Sequence, residues 1–543
     1  MATLEALPPS NTPESPIGDR ASGGMDEATA PPPPSTEVYA IHGADPEVLA
    51  YAMARYSRSS LSMKDSLAEI SASRAEQFLN TFYFQYGHRS IADLAHIPFA
   101  IERLSLLAAI DLVDEQRWDG QERSTRYQNF QKSGWFTPDL GADTPRFTTA
   151  VETLFVAYEL IGDRMAQALR DAIPRPETMK PDAYDRTLKA RAFDVARYLL
   201  PLATNTSLGQ IVNARTLETQ VSRLLTSDFA EIRNIGEQLR AAAAGPAWNV
   251  QATAAAPLIA DLEASADPHA RSAADLLNRP VATAPTLVKY AQANEYQARS
   301  RASLSQAAAE LMAGESIALA PIVDLVEDGE PLEIELATSL LYPTCHYPYR
   351  QLRDHIAALP EARRTELIRL GAEHRGRHDE LLRGFSSGSS LRFDILMDIG
   401  GFRDMHRHRR CIQLLQPVTD LHGFDEPVCP GQPTLAEAGL AVEYQAAMES
   451  ALHTYRKLKL APVPEAAQSA SYLLPLGVRC RSLFKMDFAE ALYISELRSG
   501  PAGHFSYRRV AWEMYQAVTR RHSALAPLFR IEDVHQPVDL LRR

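Results

Sequence analysis

Two stretches of the chain, YLLPLATNTSLGQIVNARTLETQ from Tyr198 and YLLPLGVRCRSLFKMDFAEALYI from Tyr472, decide the fold. They lie 274 positions apart and share their first five residues. A second pair lies upstream: FAIERLSLLAAIDLVDEQR from Phe99 and FDILMDIGGFRDMHRHRR from Phe393. Self-similarity at a fixed offset is typical of an internal duplication. Chance similarity between two helical stretches is the alternative.

The duplication predicts two copies of one domain. We place a first copy at residues 38–283 and a second copy at 284–543, with the join near NRPVATAPT (278–286), where prolines cluster. Apolar spacings of three and four dominate, with few alternating stretches. We therefore expect an α+β, mostly helical fold in which each copy combines a small sheet with packed helices. Residues 1–37 are rich in Pro and Ala, which predicts a disordered tail.

Bulk composition excludes several classes of protein. The chain has 543 residues, a formal net charge of −12 and four cysteines. An acidic chain argues against broad nucleic-acid binding, which needs a basic face. Few and unpaired cysteines are typical of a reduced, cytoplasmic protein without a disulfide framework, and they suggest no metal site. The sequence shows neither a secretion signal nor an apolar run long enough to span a membrane, so we expect a cytoplasmic protein.

Polar residues are divided unequally between the copies. The second copy has HRHRR at 406–410, where the first has VDEQR at 113–117. The first copy continues with QERSTRY at 121–127, whereas the second has LLQPVTD at 414–420. Arginine-rich clusters suit phosphates because the planar guanidinium donates in pairs. Each copy therefore holds a cluster that the other lacks.

At these residues the chain resembles the flavin-dependent thymidylate synthases. Their signature has the form RHRxxSxNExSxRY, with an HxSxxEH segment before it and LPLxxYT, NxRxL and ELR segments after it. Here the first part of the signature falls in the second copy and the last part in the first. The matching residues are Arg407, His408 and Arg409; Glu122, Ser124, Arg126 and Tyr127; His88 and Ser90; Asn213 and Arg215; and Arg498.

The resemblance implies a function for each cluster. Arg407, His408, Arg409 and Asn213 would bind FAD; Glu122, Ser124, Arg126, Tyr127 and Arg215 would bind dUMP; His88 and Arg498 would be catalytic. The implied reaction methylates dUMP to dTMP with methylenetetrahydrofolate and NADPH as co-substrates. Family sites form between subunits of a homotetramer, so a tandem chain would form a pseudo-tetramer as a homodimer. No nucleic-acid or membrane partner is expected.

Departures from the signature leave other readings open. Acids Asp114 and Glu115 replace two of the flavin-binding bases, and Asp93-Leu94 stands where the family has Glu-His. Ser124 also suits a helix cap, His88 a structural histidine, and the run at 406–410 a solvated face. Two alternatives therefore remain: a flavoenzyme acting on another pyrimidine nucleotide such as UMP, and an inactive nucleotide-binding or regulatory homologue.

Overall fold

The computed structural model describes residues 43–55, 67, 89–326, 332–375, 382–385, 391–462, 464–523, 526 and 529–541. Contacts group the chain from Asp45 onward into one compact unit. The predicted tail at 1–37 and the candidate His88 lie outside the described residues. Within the described part of the chain, no helix is both long and apolar enough to cross a membrane.

The first copy contributes a three-stranded antiparallel sheet. Its strands are β1 (His96–Ser105), β2 (Asp119–Glu122) and β3 (Asn205–Asn213), in the order β1-β3-β2. β1 runs directly into helix α2 (Leu106–Leu112), because the Ser105 hydroxyl accepts from the Ala108 N–H and caps the helix.

The second copy contributes a four-stranded antiparallel sheet. Its strands are β4 (Val323–Val326), β5 (Leu391–Asp398), β6 (Ile412–Leu415) and β7 (Arg479–Met486), in the order β4-β5-β7-β6. β5 also runs directly into a helix, α13 (Ile399–Met405), which Asp398 caps by accepting from the Gly401 N–H at 2.7 Å.

Helices account for most of the remaining residues that the structure describes. They are α1 (Pro46–Arg55), α2, α3 (Thr144–Ala172), α4 (Pro181–Ala196), α5 (Ala214–Leu225), α6 (Ala230–Ala244), α7 (Ala252–Glu263), α8 (Pro268–Leu277), α9 (Glu295–Leu311), α10 (Leu332–Leu341), α11 (Tyr349–Ala357), α12 (Glu361–Leu370), α13, α14 (Ala441–Lys459), α15 (Pro464–Ser469), α16 (Phe488–Ser499) and α17 (Phe505–Arg521). The predicted α+β, mostly helical class with two small sheets is confirmed.

Elements follow one another in the same order around both sheets. A strand, a short helix, a short strand, a long helix, a long strand and two helices occur as β1-α2-β2-α3-β3-α5-α6 and as β5-α13-β6-α14-β7-α16-α17, with α4 and the shorter α15 before the long strands. This order parallels the sequence repeat. The boundaries 38–283 and 284–543 remain predictions.

The two LLPL stretches pair with each other. Leu202 donates its N–H to the Leu474 carbonyl, and Leu476 donates to the Leu200 carbonyl, each at 2.9 Å. Pro201 and Pro475 form the antiparallel bridge between them. The largest apolar cluster contains residues from both stretches and from the long helices α3 and α14. Among the described residues, the largest of the three apolar clusters is therefore shared by the copies and holds their polar clusters relative to each other.

Candidate functional site

The basic run of the second copy is anchored through His408. The His408 side chain is 6% exposed, and its Nε2 accepts a hydrogen bond from Nε of Arg498 at 2.8 Å. Burial, followed by the charges of Arg498 and Arg409, lowers the pKa of His408 to about 3. The ring is therefore neutral near pH 7, with Nε2 as acceptor. The structure thus brings together two residues that the resemblance assigned separately, one to FAD and one to catalysis.

Arg409 reaches into the first copy. Its guanidinium lies 4.9 Å from the ring centroid of Trp118, and its Nη1 donates to the His406 carbonyl at 2.9 Å. Its Nη2 is buried and has no hydrogen-bond partner among the described residues. A buried, unpartnered guanidinium donor is costly unless a ligand or water accepts from it. Burial also lowers the pKa of Arg409 to about 10, so the group remains cationic near neutral pH.

Arg409 and Asn213 line one cleft of about 310 Å³. Asn213 ends β3 and caps α5, accepting from the Thr216 N–H at 2.8 Å. Trp118 forms another wall, and its Nε1 donates to Oε1 of Gln210 at 2.7 Å. The remaining lining residues are His96, Gln116, Arg117, Asp119, Ile211 and Val212. Two predicted FAD residues, one from each copy, therefore meet in one cleft.

Gly120 makes room for the indole that forms this wall. A Cβ at this position would lie 2.4 Å from the Gly209 carbonyl oxygen and 2.6 Å from two ring atoms of Trp118. Contacts this short are sterically forbidden, so glycine is needed where β2 passes β3. A cationic donor beside an aromatic face, at the edge of this sheet, suits a phosphate-bearing aromatic group.

Glu122 from the predicted dUMP set contacts the second copy. Its carboxylate pairs with the guanidinium of Arg403, and both side chains are about nine-tenths buried. Arg403 belongs to α13, in the residues just before the basic run. A buried carboxylate needs such a partner, because isolated charges are expensive to desolvate. Glu122 therefore fixes α13 of the second copy against β2 of the first.

Arg126 is buried in a network of its own. Its Nε donates to Asp194 at 2.8 Å, its Nη1 to the Tyr507 hydroxyl at 2.8 Å, and its Nη2 to the Ala502 carbonyl at 3.1 Å. Burial alone would lower the pKa of Arg126, but the charges of Asp194 and Tyr507 outweigh it and raise that pKa. As placed here, its donors serve protein acceptors, and a phosphate would have to displace one of them.

Other predicted residues lie in more open surroundings. Ser124 accepts from the Arg126 N–H at 3.2 Å, and Tyr127 is 55% exposed. Arg407 is exposed, and Arg215 donates to Asp93 at 3.3 Å. Arg117 lies 3.3 Å from the same carboxylate. Asp93 belongs to the pair Asp93-Leu94 that stands where the family has Glu-His. The structure therefore places Ser124 and Arg126 together but holds Arg215 at Asp93.

The unexpected acids Asp114 and Glu115 bind arginines. Asp114 accepts from Arg383 of the second copy at 2.6 Å, and Glu115 accepts from Arg223 at 3.0 Å. Burial alone would raise the pKa of Asp114, but the charges of Arg383, His406 and Arg223 hold it well below its usual range. Burial raises the pKa of Glu115 despite the opposing charge of Arg223. These carboxylates tie α2 to its neighbours where the second copy has its basic run.

Sequence reasoning missed several residues of this region. Trp118, Asp194, Arg403 and Tyr507 match none of the signature segments, although each contacts a residue that does. Trp118 lies between VDEQR (113–117) and QERSTRY (121–127), so an aromatic residue beside Arg117 was a usable signal. Asp194 and Tyr507 are remote in sequence and gave none.

Comparison with known proteins identifies the family. A family model described as "Thymidylate synthase complementing protein" matches residues 40–244 and 349–522. The chain belongs to this family. The two matched segments contain one complete sheet and most of the other, and the resemblance to flavin-dependent thymidylate synthases is confirmed.

Relatives fall into two groups by length. A "UPF0159 protein" of Chlamydia muridarum is 27% identical over 476 residues, which is 86% of this chain and 82% of that protein. A "UPF0159 protein" of Thermoplasma acidophilum is 24% identical and covers 89% of this chain and 94% of its own. By contrast, a flavin-dependent thymidylate synthase of Clostridium tetani is 25% identical over 201 residues, 36% of this chain and 76% of that enzyme.

Solved structures of related proteins are also similar to this chain, and one of them illustrates the likeness. It is thymidylate synthase X of Helicobacter pylori with FAD and dUMP, which covers 36% of this chain and 88% of its own, at 16% identity and a TM-score of 0.22. Family membership rests on the family model and not on this likeness.

Proposed function

We propose that this protein is a flavoenzyme that binds FAD and methylates dUMP to dTMP, with methylenetetrahydrofolate as carbon donor and NADPH as reductant. The observation that carries the proposal is the meeting of Arg409 and Asn213 in one cleft. These residues are 196 positions apart and match separate parts of one family signature.

The residues of this cleft fit FAD. The buried Nη2 of Arg409 supplies a free charged donor for a phosphate oxygen, and the Trp118 ring supplies an aromatic wall. Asn213 is held in place by its capping bond. When bound, FAD would supply hydride transfer, which no side chain provides. Neutral His408 would act on the flavin or its substrate through Arg498, which it holds in place by accepting a hydrogen bond.

The substrate side is proposed on Glu122, Ser124, Arg126 and Tyr127, with Arg215. Of these, Tyr127 is exposed, and Ser124 is partly so. Glu122 and Arg126 already contact the second copy through Arg403 and Tyr507. Binding of a nucleotide here would therefore affect side-chain contacts in both copies. This supports a single site divided between them.

A second candidate function is nucleotide binding without turnover. It is favoured by Arg126, whose donors serve Asp194, Tyr507 and Ala502. If Arg126 stays in this arrangement, other residues must bind the phosphate.

We propose further that the protein is a homodimer, because Tyr127, Tyr493 and Leu497 are each more than half exposed near the proposed site. Light scattering of the purified protein measures this assembly state.

The decisive experiment is a fluorescence titration of FAD into the purified chain, with and without dUMP. We expect Arg409→Ala and Asn213→Ala to weaken FAD binding at least tenfold by removing a charged and a neutral hydrogen bond. Arg410→Ala is the matched control, because that neighbouring side chain is 65% exposed and pairs with Asp487. Equal effects of all three variants would refute the cleft as the flavin site.

Turnover is then measured as dTMP formed from dUMP, with methylenetetrahydrofolate and NADPH supplied, and UMP is run in parallel. Product from dUMP supports the proposed reaction. Product from UMP alone supports the alternative pyrimidine substrate. Binding of FAD and dUMP without product from either nucleotide supports the second candidate function.

A further inference from the structure

Tyr507 lies where residues of the two copies meet. It belongs to α17 and is 4% exposed. Its hydroxyl accepts from Nη1 of Arg126 at 2.8 Å. The guanidinium carbons of Arg126 and Arg498 lie 5.7 and 5.3 Å from its ring centroid. One side chain therefore contacts a predicted dUMP residue of the first copy and a predicted catalytic residue of the second.

Arg498 has little freedom beside this ring. A guanidinium held near an aromatic face is attracted to the ring, more strongly when it is desolvated. The Arg498 Nε donates to Nε2 of His408 at 2.8 Å. This bond requires that Nε2 carry no proton, which selects the Nδ1–H tautomer of the imidazole. The orientation of Arg498 therefore sets the tautomer of His408.

We propose that Tyr507 is a positioning residue that couples the Arg126 loop to the Arg498–His408 pair. Its hydroxyl restrains Arg126, and its ring restrains Arg498. The role in binding rests on the proposed function, but the restraint on His408 is a property of the protein without ligand. A change in the position of Arg126 when nucleotide binds would thereby reach the histidine of the flavin side.

Other side chains also surround the His408 imidazole. Glu490 Oε1 lies 3.6 Å from Nδ1, and the Tyr493 ring lies 5.9 Å from the imidazole. Both belong to α16, as does Arg498, whereas Arg409 is adjacent in sequence. Glu490 at Nδ1 favours the same tautomer as Arg498 at Nε2. Loss of the Arg498 contact would leave Glu490 alone to favour the Nδ1–H tautomer at 3.6 Å, so the Nε2–H tautomer would also become populated.

The test separates ring from hydroxyl. Tyr507→Phe keeps the ring and removes the bond to Arg126, whereas Tyr507→Met keeps an apolar side chain of smaller volume and removes both. Tyr507→Leu is a second apolar replacement in case the methionine variant does not fold. Tyr515→Phe and Tyr515→Met are the matched controls, because Tyr515 is on the same helix and contacts Trp512 and Phe529 instead.

The first readout is the ¹⁵N spectrum of the histidine side chains without ligand, with the His408 signals assigned by their loss in His408→Gln. We expect the wild type, Tyr507→Phe and both Tyr515 variants to show an unprotonated Nε2. We expect Tyr507→Met or Tyr507→Leu to show a tautomer average. A folded Met or Leu variant that retains the wild-type signal would overturn the proposal.

The second readout is the effect of dUMP on FAD binding. We expect Tyr507→Phe to bind FAD within twofold of wild type and to need about tenfold more dUMP for the same response, since a hydrogen bond to a charged group is lost. An unchanged dUMP response in Tyr507→Phe would overturn the coupling. If the wild type binds neither ligand, the proposed function fails, and the ligand-free spectrum still decides the restraint on His408.

Discussion

Leu202 and Leu476 hold equivalent positions in the two LLPL stretches, and each donates a backbone hydrogen bond to the other stretch. Leu202 donates to Leu474, and Leu476 donates to Leu200. Ala203 and Gly477 repeat the relationship, donating to Tyr472 and Tyr198 at 2.7 and 2.9 Å. The two similar stretches therefore pair with each other within one chain.

This pairing predicts that both copies unfold together. Tryptophan fluorescence reports on the first copy through Trp118 and Trp135 and on the second through Trp512. Far-UV circular dichroism reports on all helices. Because the copies share a core, we expect coincident urea transitions by both methods. Leu476→Ala should lower the free energy of unfolding by about 2–5 kcal/mol without separating the transitions. Leu460→Ala is the control, since Leu460 is 83% exposed. Two resolved transitions would contradict the shared core.

The pair of Arg126 and Asp194 should contribute strongly to stability. Arg126→Met leaves the Asp194 carboxylate buried without its main cation, which typically costs about 3–5 kcal/mol. Arg146→Met is the control, because its pair with Asp143 is largely exposed and should contribute less than about 1 kcal/mol. Chemical denaturation measures both. Equal, small losses would show that Arg126 is not held by the fold and is available to a ligand. Combining Arg126→Met with Asp194→Leu should recover part of the loss.

Asp398 should make stability depend on pH. Burial raises its pKa to about 6, so the folded protein binds its proton more tightly than the unfolded chain does. The free energy of unfolding should therefore fall as pH rises from about 4 to about 6, by up to about 3 kcal/mol from this group. Asp398→Asn keeps an oxygen that can accept from Gly401 and removes the titration. Urea unfolding measures the free energy of unfolding of wild type and variant across this pH range. The difference between the two should fall as pH rises, because only the wild type titrates at this position. A flat difference would contradict the raised pKa.

His408 should act in the opposite direction. Its pKa is lowered in the folded state, so the unfolded chain binds the proton more tightly below about pH 6.5. Stability from this group is complete above that pH and is lost as pH falls. Between pH 7 and pH 5 the loss should be about 2 kcal/mol relative to His408→Gln, whose amide oxygen can still accept from Arg498. Denaturation at several pH values checks this. A variant with the wild-type pH dependence would show that the pKa of His408 is not lowered in the folded protein.

The sequence repeats and motifs by themselves determined the fold class and part of the candidate site. The α+β class with two small sheets followed from the duplicated stretches at Tyr198 and Tyr472, because an offset repeat implies a repeated succession of elements. The split signature also placed Arg409 and Asn213 in one candidate set, and the structure brings them to one cleft. The motifs could predict this grouping because residues that share a site occur in a recognisable order and spacing along the sequence.

Only the tertiary structure decided what those residues contact. Arg126 meets Asp194 and Tyr507, which lie 68 and 381 positions away. Asp114 stands among residues expected to bind a flavin phosphate, yet it accepts from Arg383 of the other copy. A sequence shows that a charged side chain is present, but its role depends on burial and on which opposite charge lies within reach. Both depend on the tertiary structure, in which the stretches around Leu202 and Leu476 pair and pack into one apolar cluster.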